Sequence, residues 1–148
     1  MMKNIIFPIA GGILSLLFVL FAPQLYEALY YERAFSNELY NLSVYRLLAF
    51  VTVCFGWVPA FTYYYLVNSV SFSRWYHWLI MLGVASVAGP VFIFVSLVGI
   101  FMELGYDFTG QIASFCLADV FVTAVLFVIA SFSIRWWSSN CRHTPIPE

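Results

Sequence analysis

Charge is what this sequence has least of. Six Lys or Arg and seven Asp or Glu make up 9% of 148 residues, against a hydrophobic fraction of 64%. Soluble domains average about 25% charged and about 45–50% apolar. A water-soluble fold of this length could not cover its surface with so few charges. A formal net charge of −1 excludes a nucleic-acid binder, which needs a basic stripe. Cysteine is scarce too. Cys54, Cys116 and Cys141 form no Cys-x-x-Cys pair and no Cys/His cluster with metal spacing. Cys54 and Cys116 sit in apolar runs, where a free thiol behaves as a small hydrophobe. There is no His-rich cluster, no Gly-x-Ser-x-Gly and no phosphate loop. The expectation is therefore no enzyme, no metal site and no cofactor.

What the sequence has instead is apolar length. Sixteen Phe, ten Tyr and five Trp exclude disorder and suit a chain solvated by lipid, with rings at headgroup level. A bilayer core about 30 Å thick needs about 20 apolar residues in a helix. Four segments qualify, at residues 5–22, 44–67, 75–102 and 111–134. Backbone polar groups cannot stay unpaired in lipid, so each is expected to be an α-helix. The fold class is all-α: a polytopic, single-domain bundle of four transmembrane helices. The first segment follows Lys3 as a signal peptide would. It lacks an A-x-A pattern, and Pro23 stands where a mature chain would begin, so it reads as a retained helix.

Loop cations set the orientation. With the N-terminus inside, Lys3, Arg74, Arg135 and Arg142 are cytoplasmic, and Arg33 and Arg46 are outside. Most acids then face outward: Glu27, Glu32, Glu38, Glu103 and Asp107. Both ends are expected in the cytoplasm, in a plasma membrane of bacterial inner-membrane type. The outer loop 23–43 is the largest polar segment. The tail 138–148 carries Pro145 and Pro147 and reads as flexible. Tyr63, Tyr64, Tyr65, Trp75, Tyr76, Trp78, Trp136 and Trp137 are expected to form an inner aromatic belt.

Asp119 is the residue that most needs explaining. It lies about nine residues into the fourth segment, where a carboxylate is costly and should face the bundle interior. It is either a protonatable or ion-liganding site, or a hydrogen-bonded anchor between helices. Arg46 is its expected partner, about 8 Å nearer the outer face by helical rise, with Glu38 and Glu103 as rivals for the arginine. Gly56 with Pro59, and Gly89 with Pro90, interrupt the second and third segments near their middles and are candidate hinges. Gly11 with Ser15, Ala85 with Gly89 and Ser114 with Ala118 repeat the small-xxx-small spacing of close helix contacts. From Gln24 to Phe35, residues recur at i, i+4 as in a short amphipathic helix along the outer interface. Tyr26, Glu27, Tyr30, Tyr31, Glu32 and Arg33 would form its docking surface.

No residue motif names a substrate or reaction. The leading expectation is a non-enzymatic membrane subunit that anchors, scaffolds or senses for a larger assembly. Its partners would be the bilayer, further copies of itself or another subunit, with no nucleic acid. A small oligomeric channel or transporter using Asp119 is the alternative, followed by a membrane immunity or defence protein.

Overall fold

The structure is a computed structural model and describes residues 4–146; Lys3 and Pro147 lie outside the described residues. Of those described, 82% are helical and none lies in a strand. The elements are α1 (Ile6–Leu20), α2 (Ala22–Leu29), α3 (Arg33–Asn41), α4 (Tyr45–Phe61), α5 (Trp75–Glu103) and α6 (Thr109–Ile134). A π-helical turn, Thr62–Val67, prolongs α4. Three helical stretches are long and apolar enough to cross a membrane: Tyr45–Val67, Trp75–Glu103 and Thr109–Trp137. A fourth crossing exists only if α1 and α2, bent by 75° at their junction, count together. The chain is thus an all-helical, multi-pass membrane protein.

The bend has a local cause. Pro23 sits in the first turn of α2, where its missing N–H does no harm, but its ring would clash with the preceding turn if α1 ran on. Helix α1 therefore stops at Leu20, short of the expected residue 22. Its 15 residues rise about 22 Å, less than a bilayer core of about 30 Å. The amphipathic helix expected over Gln24–Phe35 is also divided. Tyr30 and Glu32 are extended, and Glu32 begins a new helix. Its carboxylate accepts from the N–H of Ala34 (3.3 Å) and of Phe35 (2.8 Å), and its own N–H donates to Ser36 Oγ (3.2 Å). Such an N-cap contributes about 1 kcal/mol.

The packed interior has two halves. Toward α2 and α3 it is built on Tyr26, Phe35, Leu97, Phe101 and Phe115. Toward the tail it is built on Tyr63, Tyr64, Trp78, Ala85 and Phe127. Between them glycines bring the backbones together. A Cβ on Gly56 would lie 2.9 Å from Leu126 Cβ and 3.1 Å from the Phe127 nitrogen; one on Gly89 would lie 3.0 Å from Phe55 Cβ. One on Gly11 would collide with Ser133 Oγ. So Gly56 and Gly89, expected as hinges, are contact points. Neither α4 at Pro59 nor α5 at Pro90 is broken; both prolines lie inside continuous helix. Two of the small-residue stripes are spent inside the chain: Gly11 and Ser15 are buried, as are Ala85 and Gly89. Ser114 is exposed.

The tail, expected to be flexible, is held in place. Asn68 leaves the π turn in a left-handed conformation, with φ 28°, which Asn tolerates better than most residues. Its Oδ1 accepts from Ser138 Oγ and from the Asn140 N–H, both at 2.9 Å, and its Nδ2 donates to Ser139 Oγ (2.8 Å). The π turn aims three consecutive tyrosines at three segments. Tyr63 donates to the Phe72 carbonyl (2.8 Å), Tyr64 to that of Thr144 (2.7 Å) and Tyr65 to that of Ile134 (2.6 Å). Tyr63 and Tyr64 are thus interior residues rather than belt residues, and Trp78 is buried with its Nε1 donating to Ser131 Oγ (3.1 Å). Trp75, Tyr76 and Trp137 remain exposed. Cys141, within the tail, is fully buried, and burial pushes its thiol above the usual range.

Two outcomes follow. Gly56→Val should lower stability by about 1–3 kcal/mol through overpacking, whereas Gly12→Ala, with nothing within 4 Å of the new methyl, should be near neutral; unfolding midpoints in detergent would compare them. In a Cys54→Ala, Cys116→Ala background, Cys141 should resist alkylation. Asn68→Ala removes three side-chain hydrogen bonds and should speed its labelling by about a hundredfold, given roughly 1 kcal/mol net per bond lost.

Candidate functional site

The polar centre of the molecule is Asp119, which is fully buried. Hydroxyls from three helices surround its carboxylate. Tyr26 on α2 donates to Oδ1 at 2.8 Å. Thr52 Oγ1 on α4 lies 3.1 Å from Oδ1 and 3.3 Å from Oδ2. Thr123 Oγ1, one turn along α6, lies 3.5 Å from Oδ2. Each threonine also meets a helix carbonyl: Thr52 that of Leu48 (2.9 Å), Thr123 that of Asp119 itself (2.8 Å). Tyr26 Oη and Thr52 Oγ1 are 3.0 Å apart. All three hydroxyl-bearing residues are buried, Thr52 and Thr123 completely.

The local sequence explains the convergence. Thr123 follows Asp119 by four residues, so both project from one face of α6. The bend after α1 turns α2 inward, and the Tyr26 ring lodges 4.8 Å from that of Phe115 and 6.1 Å from that of Tyr45. The aromatic wall behind it continues through Phe35, whose ring lies 5.8 Å from that of Phe101 and 6.1 Å from that of Phe115. This wall keeps water from the carboxylate and gives each hydrogen bond a low-dielectric setting.

Arg46 is not among the groups that touch Asp119. It is exposed and lines a cavity of about 250 Å³ with Pro23, Gln24, Tyr40, Ser43 and Tyr45. Similar depth does not bring two side chains together unless their faces also meet. Thr52 marks the face of α4 that meets Asp119; Arg46 precedes it by six residues, which rotates it by about 120°. The expected docking surface is similarly divided. Tyr26 is 1% exposed and belongs to the core. Glu32 caps α3, and Tyr30 packs beside Phe35 (6.2 Å between ring centroids). Glu27 is half-buried, and Tyr31 and Arg33 face outward.

Comparison with protein families, with curated proteins and with solved structures returned no match. Among the described residues, no group of three or more His, Cys, Asp or Glu could hold a metal ion. Thr52, Thr123 and Tyr26 did not emerge from the sequence as partners of Asp119. The available signal was the polar inventory of the apolar segments, in which Thr52 and Thr123 are among the few hydroxyls near mid-helix.

Removing one donor from a buried carboxylate costs about 1–3 kcal/mol. Tyr26→Phe is expected to lower the unfolding midpoint in detergent by that order while Tyr31→Phe, on the exposed side of the same segment, leaves it unchanged.

Proposed function

We propose that the protein is a non-enzymatic integral membrane subunit, a four-span bundle that anchors or scaffolds a larger assembly. The observation that carries this reading is the division between interior and exterior. The buried hydroxyls and the carboxylate are spent on contacts within the chain, while α6 presents Leu117, Phe121 and Val125 outward at i, i+4, i+8, each more than half exposed. A row of this kind meets lipid or another apolar helix. In the four-span reading α1 and α2 together supply the fourth crossing. The cation distribution supports an inner-membrane orientation with both ends in the cytoplasm: Arg74 borders the loop that Asn68 ties to the tail, Arg135 and Arg142 lie at that same face, and Arg33 and Arg46 sit at the other end of α4.

A second reading is a small channel or transporter. What favours it is the Asp119 carboxylate, enclosed by hydroxyls from α2, α4 and α6. Charged groups inside membrane proteins often mark ion pathways.

Mass measurement of the detergent-extracted protein tests the subunit reading. The expected result is a species heavier than one 16.9 kDa chain, either an oligomer or a complex with a second chain. A bare monomer would sink the subunit reading, and flux of protons or ions through liposomes holding that monomer would move the choice to the transporter.

A further inference from the structure

We propose that the Asp119 cluster is a binding site for one monovalent cation, either a proton or a sodium ion. A count of hydrogens and charge carries the site, independently of the assembly role proposed above.

Each hydroxyl carries one proton, so Tyr26, Thr52 and Thr123 bring three. They face more short oxygen–oxygen approaches than three protons can fill. If Thr52 donates to the Leu48 carbonyl at 2.9 Å and Thr123 to the Asp119 carbonyl at 2.8 Å, only Tyr26 remains to donate to the carboxylate. Thr52 Oγ1 would then face both carboxylate oxygens, at 3.1 and 3.3 Å, with no hydrogen between. If Thr52 turns its proton to Asp119 instead, its 2.9 Å approach to the Leu48 carbonyl is left bare. Either arrangement strands lone pairs against lone pairs in a fully buried site.

The charge count points the same way. No Arg, Lys or His touches the carboxylate among the described residues; the titratable side chains facing it are Tyr26 and Cys116, both neutral in their ordinary forms. An ionised Asp119 would be a buried charge without a counter-charge, which proteins avoid.

One positive charge removes the charge deficit and reduces the hydrogen deficit. A proton on Oδ2 lets Asp119 donate to Thr52 Oγ1 across 3.3 Å. Thr52 then donates to Leu48 and Thr123 to the Asp119 carbonyl, while Tyr26 donates to Oδ1 with Thr52 Oγ1 as a second acceptor at 3.0 Å; of the approaches at 3.3 Å or less, only Thr52 Oγ1 to Oδ1 (3.1 Å) stays without a hydrogen. A sodium ion would draw on the three oxygens that approach one another most closely, Asp119 Oδ1, Tyr26 Oη and Thr52 Oγ1, 2.8–3.1 Å apart. These are hard oxygen donors, and a single carboxylate balances a single charge. A divalent ion would leave a net positive charge in the core.

The sequence contains only two aspartates, Asp107 and Asp119, which makes the test direct. Full-length protein labelled with ¹³C at the aspartate side-chain carboxyl gives two resonances, and Asp107→Asn assigns them. Asp107 lies in an exposed loop and serves as the internal reference. Spectra are recorded at neutral pH in choline chloride and in sodium chloride of equal ionic strength. An Asp119 signal at the protonated-acid position in both salts identifies the cation as a proton. A signal at the ionised position that shifts when sodium replaces choline identifies it as sodium. A signal at the ionised position that ignores sodium overturns the proposal. The measurement uses the unaltered site, so it does not depend on any Asp119 variant folding.

Discussion

A carboxylate in an apolar helix has to find its hydrogen bonds inside the protein, and that requirement organises this molecule. Water cannot follow Asp119 into the bundle, and no cationic side chain among the described residues reaches it. Its partners must therefore come from other helices at the same depth. Thr52 fixes the rotation of α4 about its axis, because only one face of that helix carries it. Tyr26 fixes the direction of α2, because its hydroxyl reaches Oδ1 only if the chain turns sharply after α1. The bend at Phe21 and the burial of Tyr26 thus belong to the same arrangement as the carboxylate.

The two ends of the bundle are held by different means. Toward α2 and α3 the packing is aromatic, with Phe35, Phe101, Phe108 and Phe115 meeting mostly edge to face or tilted, as ring quadrupoles favour. Toward the tail the fastening is polar. Asn68 and the tyrosines of the π turn bind the loop before α5 to the segment after α6. A π turn shifts the register of the residues within it, and here it lets adjacent tyrosines reach separate targets. Between the ends, Gly56 and Gly89 let α4 approach α6 and α5 closely, a contact that side chains larger than hydrogen would hold apart.

Much of this was legible in the sequence and some was not, for physical reasons. Apolar length locates helices of membrane-crossing size, because lipid leaves the backbone no other way to satisfy itself. Pro23 marks the start of a new helix. The depth of Asp119 announces a buried polar site. Partner identity was not legible from depth alone, since a contact also needs the right face: Arg46 had suitable depth and the wrong direction. The three consecutive tyrosines looked like interfacial anchors because period and position say nothing of a π turn. The docked tail was hidden by its prolines, which suggest flexibility but are also compatible with a segment held by side-chain contacts. Gly56 and Gly89 next to prolines suggested motion, whereas the close helix contacts require their small size.

The placement of the acid on the last helix has a bearing on how the chain is made. Tyr26 precedes Asp119 by 93 residues and Thr52 precedes it by 67. Synthesis runs from the N-terminus, so both hydroxyls exist before the carboxylate leaves the ribosome. The hydroxyls are inexpensive to leave waiting, because Thr52 can bond to its own helix at Leu48. The acid is the group that membrane interior tolerates least, and it arrives when the residues that will hold it have already been made. Chain order thus spares the nascent protein an interval with a stranded carboxylate, and α6 closes the bundle by completing a half-formed polar socket.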